Sequence, residues 1–458
     1  MESGSARACL AALEDPDLED DLSRPNVLLI SCHDLGQHLG CYGIGTVRTP
    51  NIDKFAAEGV LFENSFCAAP QCSPSRAAIC TGRYPHSNGV MGLTHGNFAW
   101  DLKPGEKPLA RILLNAGYQT ALIGLQHETR QPDRLGFDRV ILGPGKKSCS
   151  QVARDAIDYL RAAAKQSSPF FLQLGFFEPH RPFDYGGAVP DSEMGISVPP
   201  FLVDDPSSRE EFAAFQGAIR AVDSAIGEVL SAVDGVGLRE NTITIFYTDH
   251  GIPFPRAKCS LYDPGIRVCF IVQCRCCAQT SHARQEAMIS NVDYLPTLLE
   301  LLDISVPRGI HGRSFAPLLR GEKYSRREEI FAEMTYHNYY DPRRCIRTRT
   351  HKLIVNFCSA PSFMDPSQSW RPKSVTVYPQ DPAYSFHEPL ELYDLTTDPL
   401  ETVNLAGAPE HASIRDELLH RLYAWMNETG DPLLKGVPLS PMHLTALNAL
   451  QCGQLDRS

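Results

Sequence analysis

The run Cys72-Ser-Pro-Ser-Arg76-Ala-Ala-Ile-Cys80-Thr-Gly-Arg83-Tyr-Pro-His86 decides how this chain is read. It predicts a helix that opens near Ser73-Pro74, because serine caps helices and proline suits their first turn. A side chain at position 72 then faces the free amides at a helix N-terminus, which bind anions. Arg76 and Arg83 add guanidinium groups whose fork matches oxyanions. A buried core cysteine beside two surface arginines explains a Cys–Arg pair in isolation. The length of the run argues for a built site instead.

Working outward, apolar runs at Val27–Cys32, Thr120–Ile123, Phe170–Phe176, Thr242–Tyr247 and Val268–Val272 read as buried strands. Helical spacing links Val152, Ala156, Tyr159 and Leu160, and again Phe212, Phe215, Ile219, Val222, Ile226, Val229 and Val233. Strands alternating with helices predict an α/β fold, a mostly parallel sheet flanked by helices. Ligands of such sheets gather at the carboxyl ends of the strands. His33-Asp34, His127, His180 and Asp249-His250 each follow a predicted strand. Two carboxylates and two imidazoles brought together there can hold a divalent cation. Each pair alone is equally a loop cap.

Segment 185–208 reads as a long loop, and charge rises over 320–328. The chain is therefore divided into an N-terminal acidic segment (1–24), a catalytic α/β domain (25–325) and a smaller C-terminal α+β domain (326–458). In the last, Arg344–Val355 alternates like an antiparallel strand pair, Leu390–Asp394 reads as another strand, and a helix is expected over Ala412–Met426.

The 458 residues carry 43 Lys+Arg against 54 Asp+Glu, a net charge of −11. That balance argues against a nucleic-acid binder and leaves any anionic ligand dependent on a local basic pocket. No run is long and apolar enough to span a membrane, and Ala8–Leu13 is too short for a secretory signal, so a cytoplasmic protein is expected. Among 15 cysteines, Cys274-Arg-Cys276-Cys277 lacks a second pair at zinc spacing and reads as a strand end with free thiols.

The Cys72–Arg76 run resembles the sulfatase signature, in which the cysteine is oxidised to formylglycine. Thr49–Asp53, Lys258 with Gly265–Val268, Asp293–Leu298, His311–Ser314 and Leu392–Asp394 are similar to sulfatase segments in the same order. The resemblance covers about residues 25 to 430. It implies an alkaline-phosphatase-like α/β domain with a smaller C-terminal domain containing an antiparallel sheet. His86–Gly89, Glu178–Arg181, Gly251–Pro255 and Glu428–Pro432 are similar to the heparan N-sulfatase branch, which points to an N-sulfoglucosamine-like or related sulfated sugar.

The resemblance implies a metal site of His33, Asp34, Asp249, His250 and the modified Cys72. Calcium comes first, with manganese or zinc as alternatives, because His33 stands where the family carries an aspartate. It implies a covalent sulfo-enzyme formed by hydrated formylglycine, with Arg76 and Lys258 stabilising charge. His180 is the candidate acid and His127 the candidate base. A formylglycine-generating enzyme is the implied partner. Leu125 replaces a family lysine, and His337, Arg343 and Arg344 are candidate sugar-binding residues. Two alternatives stay open: a phosphodiesterase or phosphonate monoester hydrolase, and an inactive sulfatase-like glycan-binding protein.

Overall fold

The computed structural model describes residues 24–143, 146–275, 283–361 and 386–452. Cys276, Cys277 and nearly all of the acidic N-terminal segment lie outside them. The main sheet has eight strands: β1 (Asn26–Cys32), β2 (Val60–Phe62), β3 (Gln119–Gly124), β4 (Arg139–Ile141), β5 (Phe170–Gly175), β6 (Thr242–Thr248), β7 (Phe270–Gln273) and β8 (Ala283–Gln285). Their order is β8-β2-β7-β6-β1-β5-β3-β4. The five strands from β6 to β4 are mutually parallel, while β7 runs antiparallel to β6 and β2.

Period-two alternation sends the two sides of β1 into different cores. Leu28, Ile30 and Cys32 pack with the helices Cys149–Ala163 and Pro206–Gly235. Val27 and Leu29 pack with the helix Tyr294–Leu301. Burial on both faces explains why these strands read as continuous apolar runs. The expected strand Val268–Val272 is split. Arg267–Val268 joins a small three-stranded sheet and Phe270 resumes in the main one. Cys269 sits at the break, donating its N–H to Thr248 Oγ1 at 3.0 Å.

A second sheet, β9 (Glu329–Tyr336), β10 (Tyr340–Thr348), β11 (His351–Asn356) and β12 (Leu390–Asp394), is wholly antiparallel. Arg344 pairs with Val355 and Cys345 with Ile354, the register of the expected hairpin. The helix Ala412–Thr429 covers this sheet, stacking Trp425 on Phe331 at 4.9 Å between ring centroids. The same core includes Ala68, Ala78 and Tyr84, so the second sheet is packed against the Cys72 region. No helix among the described residues is long and apolar enough to cross a membrane. Cys274 is disulfide-bonded, which corrects the expectation of a free thiol there.

Candidate active site

Strands β6, β1, β5 and β3 are neighbours, and their carboxyl ends deliver Asp249-His250, His33-Asp34, His180 and His127 to one place. The helix Cys72–Thr81 points its N-terminus into the same place. Its start differs from expectation: Gln71 is the N-cap, so Cys72 is the first helical residue and Ser73 lies inside the turn. Ser73 Oγ accepts the Thr94 N–H at 3.1 Å, and the Gln71 amide donates to the Tyr336 carbonyl at 2.7 Å. Position 72 is thus tied to both the α/β unit and the antiparallel sheet.

Asp249 is the hub. Its Oδ1 accepts the backbone N–H groups of Asp34 and His250, both at 3.0 Å. Its Oδ2 accepts Arg76 Nε at 3.1 Å. The Arg76 guanidinium also donates to Ser31 Oγ and the Cys32 carbonyl, and it is fully buried. Asp34 has a positive φ of 53°, a costly backbone state for a residue other than glycine. Lys258 Nζ donates to both its carboxylate oxygens, at 2.9 and 2.8 Å. Burial alone would raise the Asp34 pKa, but the Lys258 charge first, and the His250 charge and hydrogen bond after it, outweigh burial and hold the carboxylate well below its usual range. Burial pulls Lys258 down, and Asp34 more than restores it.

The imidazoles divide into two kinds. His250 Nδ1 donates to the Gly251 carbonyl at 3.0 Å, and its Nε2 lies 3.2 Å from Asp34 Oδ1 and 3.4 Å from Cys72 Sγ. Burial opposes its charge, but the two aspartates push its pKa up to about 10. His33 and His127 are held well below the normal value, first by burial and then by nearby cations. His180 falls to about 4, burial outweighing Asp34, whose Oδ2 lies 3.7 Å from His180 Nε2. His180 Nδ1 donates to the Arg181 carbonyl, so Nε2 carries the open lone pair.

A cation fits this cluster. His33 is fully buried and neither of its ring nitrogens makes a hydrogen bond, although Nδ1 lies 3.2 Å from Asp249 Oδ2. An unsatisfied buried polar group costs about 1–3 kcal/mol. Donor atoms of His33, Asp34, Cys72 and Asp249 all lie within 4.8 Å of one another. Nitrogen plus carboxylate oxygen is the chemistry of a divalent site. His250 stands beside that set, against Asp34 and Cys72.

Two further residues reach the site without having been foreseen. The His95 ring lies 4.2 Å from that of His127, and Lys146 Nζ sits 3.8 Å over the face of Phe177. Both come from loops without periodicity, so only their residue types could have drawn attention. Of the three candidate sugar-binding residues, the electrostatic influence of Lys258 and His250 is felt at His337. Arg343 and Arg344 are corrected. The first is buried against Asp341, and the second against Asp431, the Met334 carbonyl and Thr335 Oγ1. Strand β10 is buried on both faces, so neither guanidinium is free to hold a sugar.

A helix-start cysteine beside a buried carboxylate–imidazole–lysine cluster defines a hydrolytic centre for an oxyanion. Residues 25–304 match the sulfatase family model, and residues 254–369 match the C-terminal region of N-sulphoglucosamine sulphohydrolase. The chain belongs to the sulfatase family and is a sulfuric ester hydrolase. It is 29% identical to human N-sulphoglucosamine sulphohydrolase over 90% of this chain and 91% of that one. It is 29% identical to an ulvan-active sulfatase of Formosa agariphila, over 91% and 83% of the two chains. A solved structure in complex with its substrate D-glucosamine-2-N,6-O-disulfate superposes with a TM-score of 0.69 at 21% identity, covering 89% of this chain and 99% of that one.

Lys258 gives a direct prediction. Among the described residues it is the one cation that bonds both oxygens of Asp34, and its charge also interacts with Cys72. Lys258→Ala should lower kcat by roughly 10²–10³-fold, the scale of losing one preorganised charge donor. The Michaelis constant should move far less. An unchanged kcat in steady-state kinetics would remove Lys258 from the reaction.

Proposed function

We propose that this sulfatase removes sulfate from a sulfated sugar of the N-sulfoglucosamine type, as an ester or a sulfamate. The observation that carries this reading is Cys72 at its helix start, 3.4 Å from His250 Nε2 and within the donor set of His33, Asp34 and Asp249. The Cys72 Sγ stands where the oxygens of a hydrated formylglycine would lie. Modified in that way, residue 72 supplies a hydroxyl nucleophile, and a bound divalent cation supplies positive charge for it and for the sulfuryl oxygens.

His33, Asp34, Asp249 and residue 72 would hold that cation. Calcium remains the first expectation, and the His33 nitrogen keeps manganese and zinc as the alternatives to compare. His250 bonds toward position 72 and orients its substituent. Arg76 fixes Asp249, and Lys258 keeps Asp34 ionised. His180, with an open Nε2 next to Asp34, is placed to exchange a proton with the leaving atom once a substrate anion raises its basicity. His127, neutral beside His33 and His95, is placed as the second base. His337 is the candidate on the sugar side; it lies in the segment that matches the N-sulphoglucosamine sulphohydrolase C-terminal region.

The test is sulfate release from N-sulfoglucosamine and from 2-O- and 6-O-sulfated glucosamines, run beside phenyl phosphate and a phosphonate monoester. Free sulfate from a sulfated glucosamine is the expected result. Turnover of the phosphorus substrates with none of the sulfated ones would instead establish the phosphonate hydrolase alternative.

A further inference from the structure

A substrate sulfate brings negative charge, and the cations nearest position 72 are already committed. Arg76 is bonded to Asp249, Ser31 and the Cys32 carbonyl. Lys258 is bonded to both oxygens of Asp34. His250, 3.4 Å from Cys72 Sγ, donates to the Gly251 carbonyl and lies 3.2 Å from Asp34 Oδ1. Position 125, which follows β3, is Leu. A side-chain cation with unsatisfied donors would add to the charge that a bound divalent ion supplies.

Lys146 is solvent-accessible, and among the described residues no carboxylate pairs with it. Its neighbour Lys147 is paired with Asp155. Lys146 is anchored through its own carbonyl and through the chain that follows it. Its carbonyl accepts the Tyr185 hydroxyl, and Ser148, two residues on, forms the capping box of the helix Cys149–Ala163. Its Nζ rests 3.8 Å over Phe177, whose ring lies 4.9 Å from that of His180, whose Nε2 lies 3.7 Å from Asp34 Oδ2. The ammonium is therefore two rings away from Asp34. Its field is felt at Cys72, Asp34 and Lys258, and at His95, His127 and His180. A cation–π contact holds a lysine loosely enough to be exchanged for an oxyanion.

Resting on the sulfatase reading above, we propose that Lys146 supplies the free positive charge that binds the substrate's sulfate over residue 72. The lysine swings from the Phe177 face to donate to a sulfuryl oxygen. It takes the part that the leucine at position 125 does not play.

Calorimetric titration of the full, metal-loaded chain with inorganic sulfate tests this without any turnover. Lys146→Gln should bind sulfate roughly tenfold more weakly, the scale of one charge-assisted hydrogen bond. Lys146→Arg should recover most of the affinity, and Lys147→Gln should leave it unchanged. On a sulfated glucosamine the same order should appear in kcat/KM. Equal sulfate affinity in wild type and Lys146→Gln would overturn the proposal. So would an equal loss in Lys147→Gln, which would mark a diffuse field effect. Failure of the sulfatase reading looks different: sulfate binds in a Lys146-dependent way, yet no sulfated sugar is turned over.

Discussion

Cys72→Ala should abolish turnover, with a loss on the order of 10⁴-fold or more, because it removes the group on which the nucleophile is made. The structure also predicts that the protein survives the change. Cys72 is buried, and among the described residues its Sγ makes one polar contact, at 3.4 Å to His250 Nε2. The helix it begins is held elsewhere: Asn291 Nδ2 donates to Ser75 Oγ at 2.9 Å, Ser75 Oγ donates to the Asp249 carbonyl, and Arg76 binds Asp249. Truncating a sulfur leaves a small cavity, worth about 1 kcal/mol. Thermal melting and sulfate release, measured on the same preparation, check both halves. The mass of the tryptic peptide Phe55–Arg76 from wild type completes the test, since an aldehyde at position 72 is the expected species. Full activity in Cys72→Ala would rule out the formylglycine route.

The parts of the site legible in the sequence were those set by strand ends. Apolar runs long enough to be buried on both faces announced β1, β3, β5 and β6, and parallel packing then obliged His33-Asp34, His127, His180 and Asp249-His250 to converge. The three-residue strands β2, β4 and β8 carry too little pattern to show. Arg343 and Arg344 were misread for a physical reason. Adjacent arginines in a strand look solvated, yet Asp341 and the distant Asp431 neutralise them inside the fold. Lys146 and His95 were invisible because the loops that carry them have no period. Only the packing of Phe177 and His127 places them.

Asp249 is where fold and chemistry are least separable. Asp249→Ala should destabilise the protein by about 3–5 kcal/mol, the cost of leaving a buried charge without its partner. The orphaned charge is Arg76, which keeps only a hydroxyl and a carbonyl as acceptors. The backbone N–H groups of Asp34 and His250 lose their acceptor at the same time, and with it the geometry that holds Asp34 at a positive φ. Asp249→Asn separates the two roles. Its amide oxygen still accepts both N–H groups, so part of the stability should return, but its Nδ2 meets Arg76 Nε donor to donor and leaves that guanidinium without its carboxylate. The charge does not return, and a divalent cation held by His33, Asp34 and residue 72 would lose one of its two carboxylates. The expected result for Asp249→Asn is a melting temperature between those of wild type and Asp249→Ala, cation affinity weakened at least tenfold by calorimetric titration, and loss of sulfate release. Unchanged cation affinity in that variant would show that Asp249 serves Arg76 and the backbone alone, and the ion would then have to be sought on Asp34 and His33 without it.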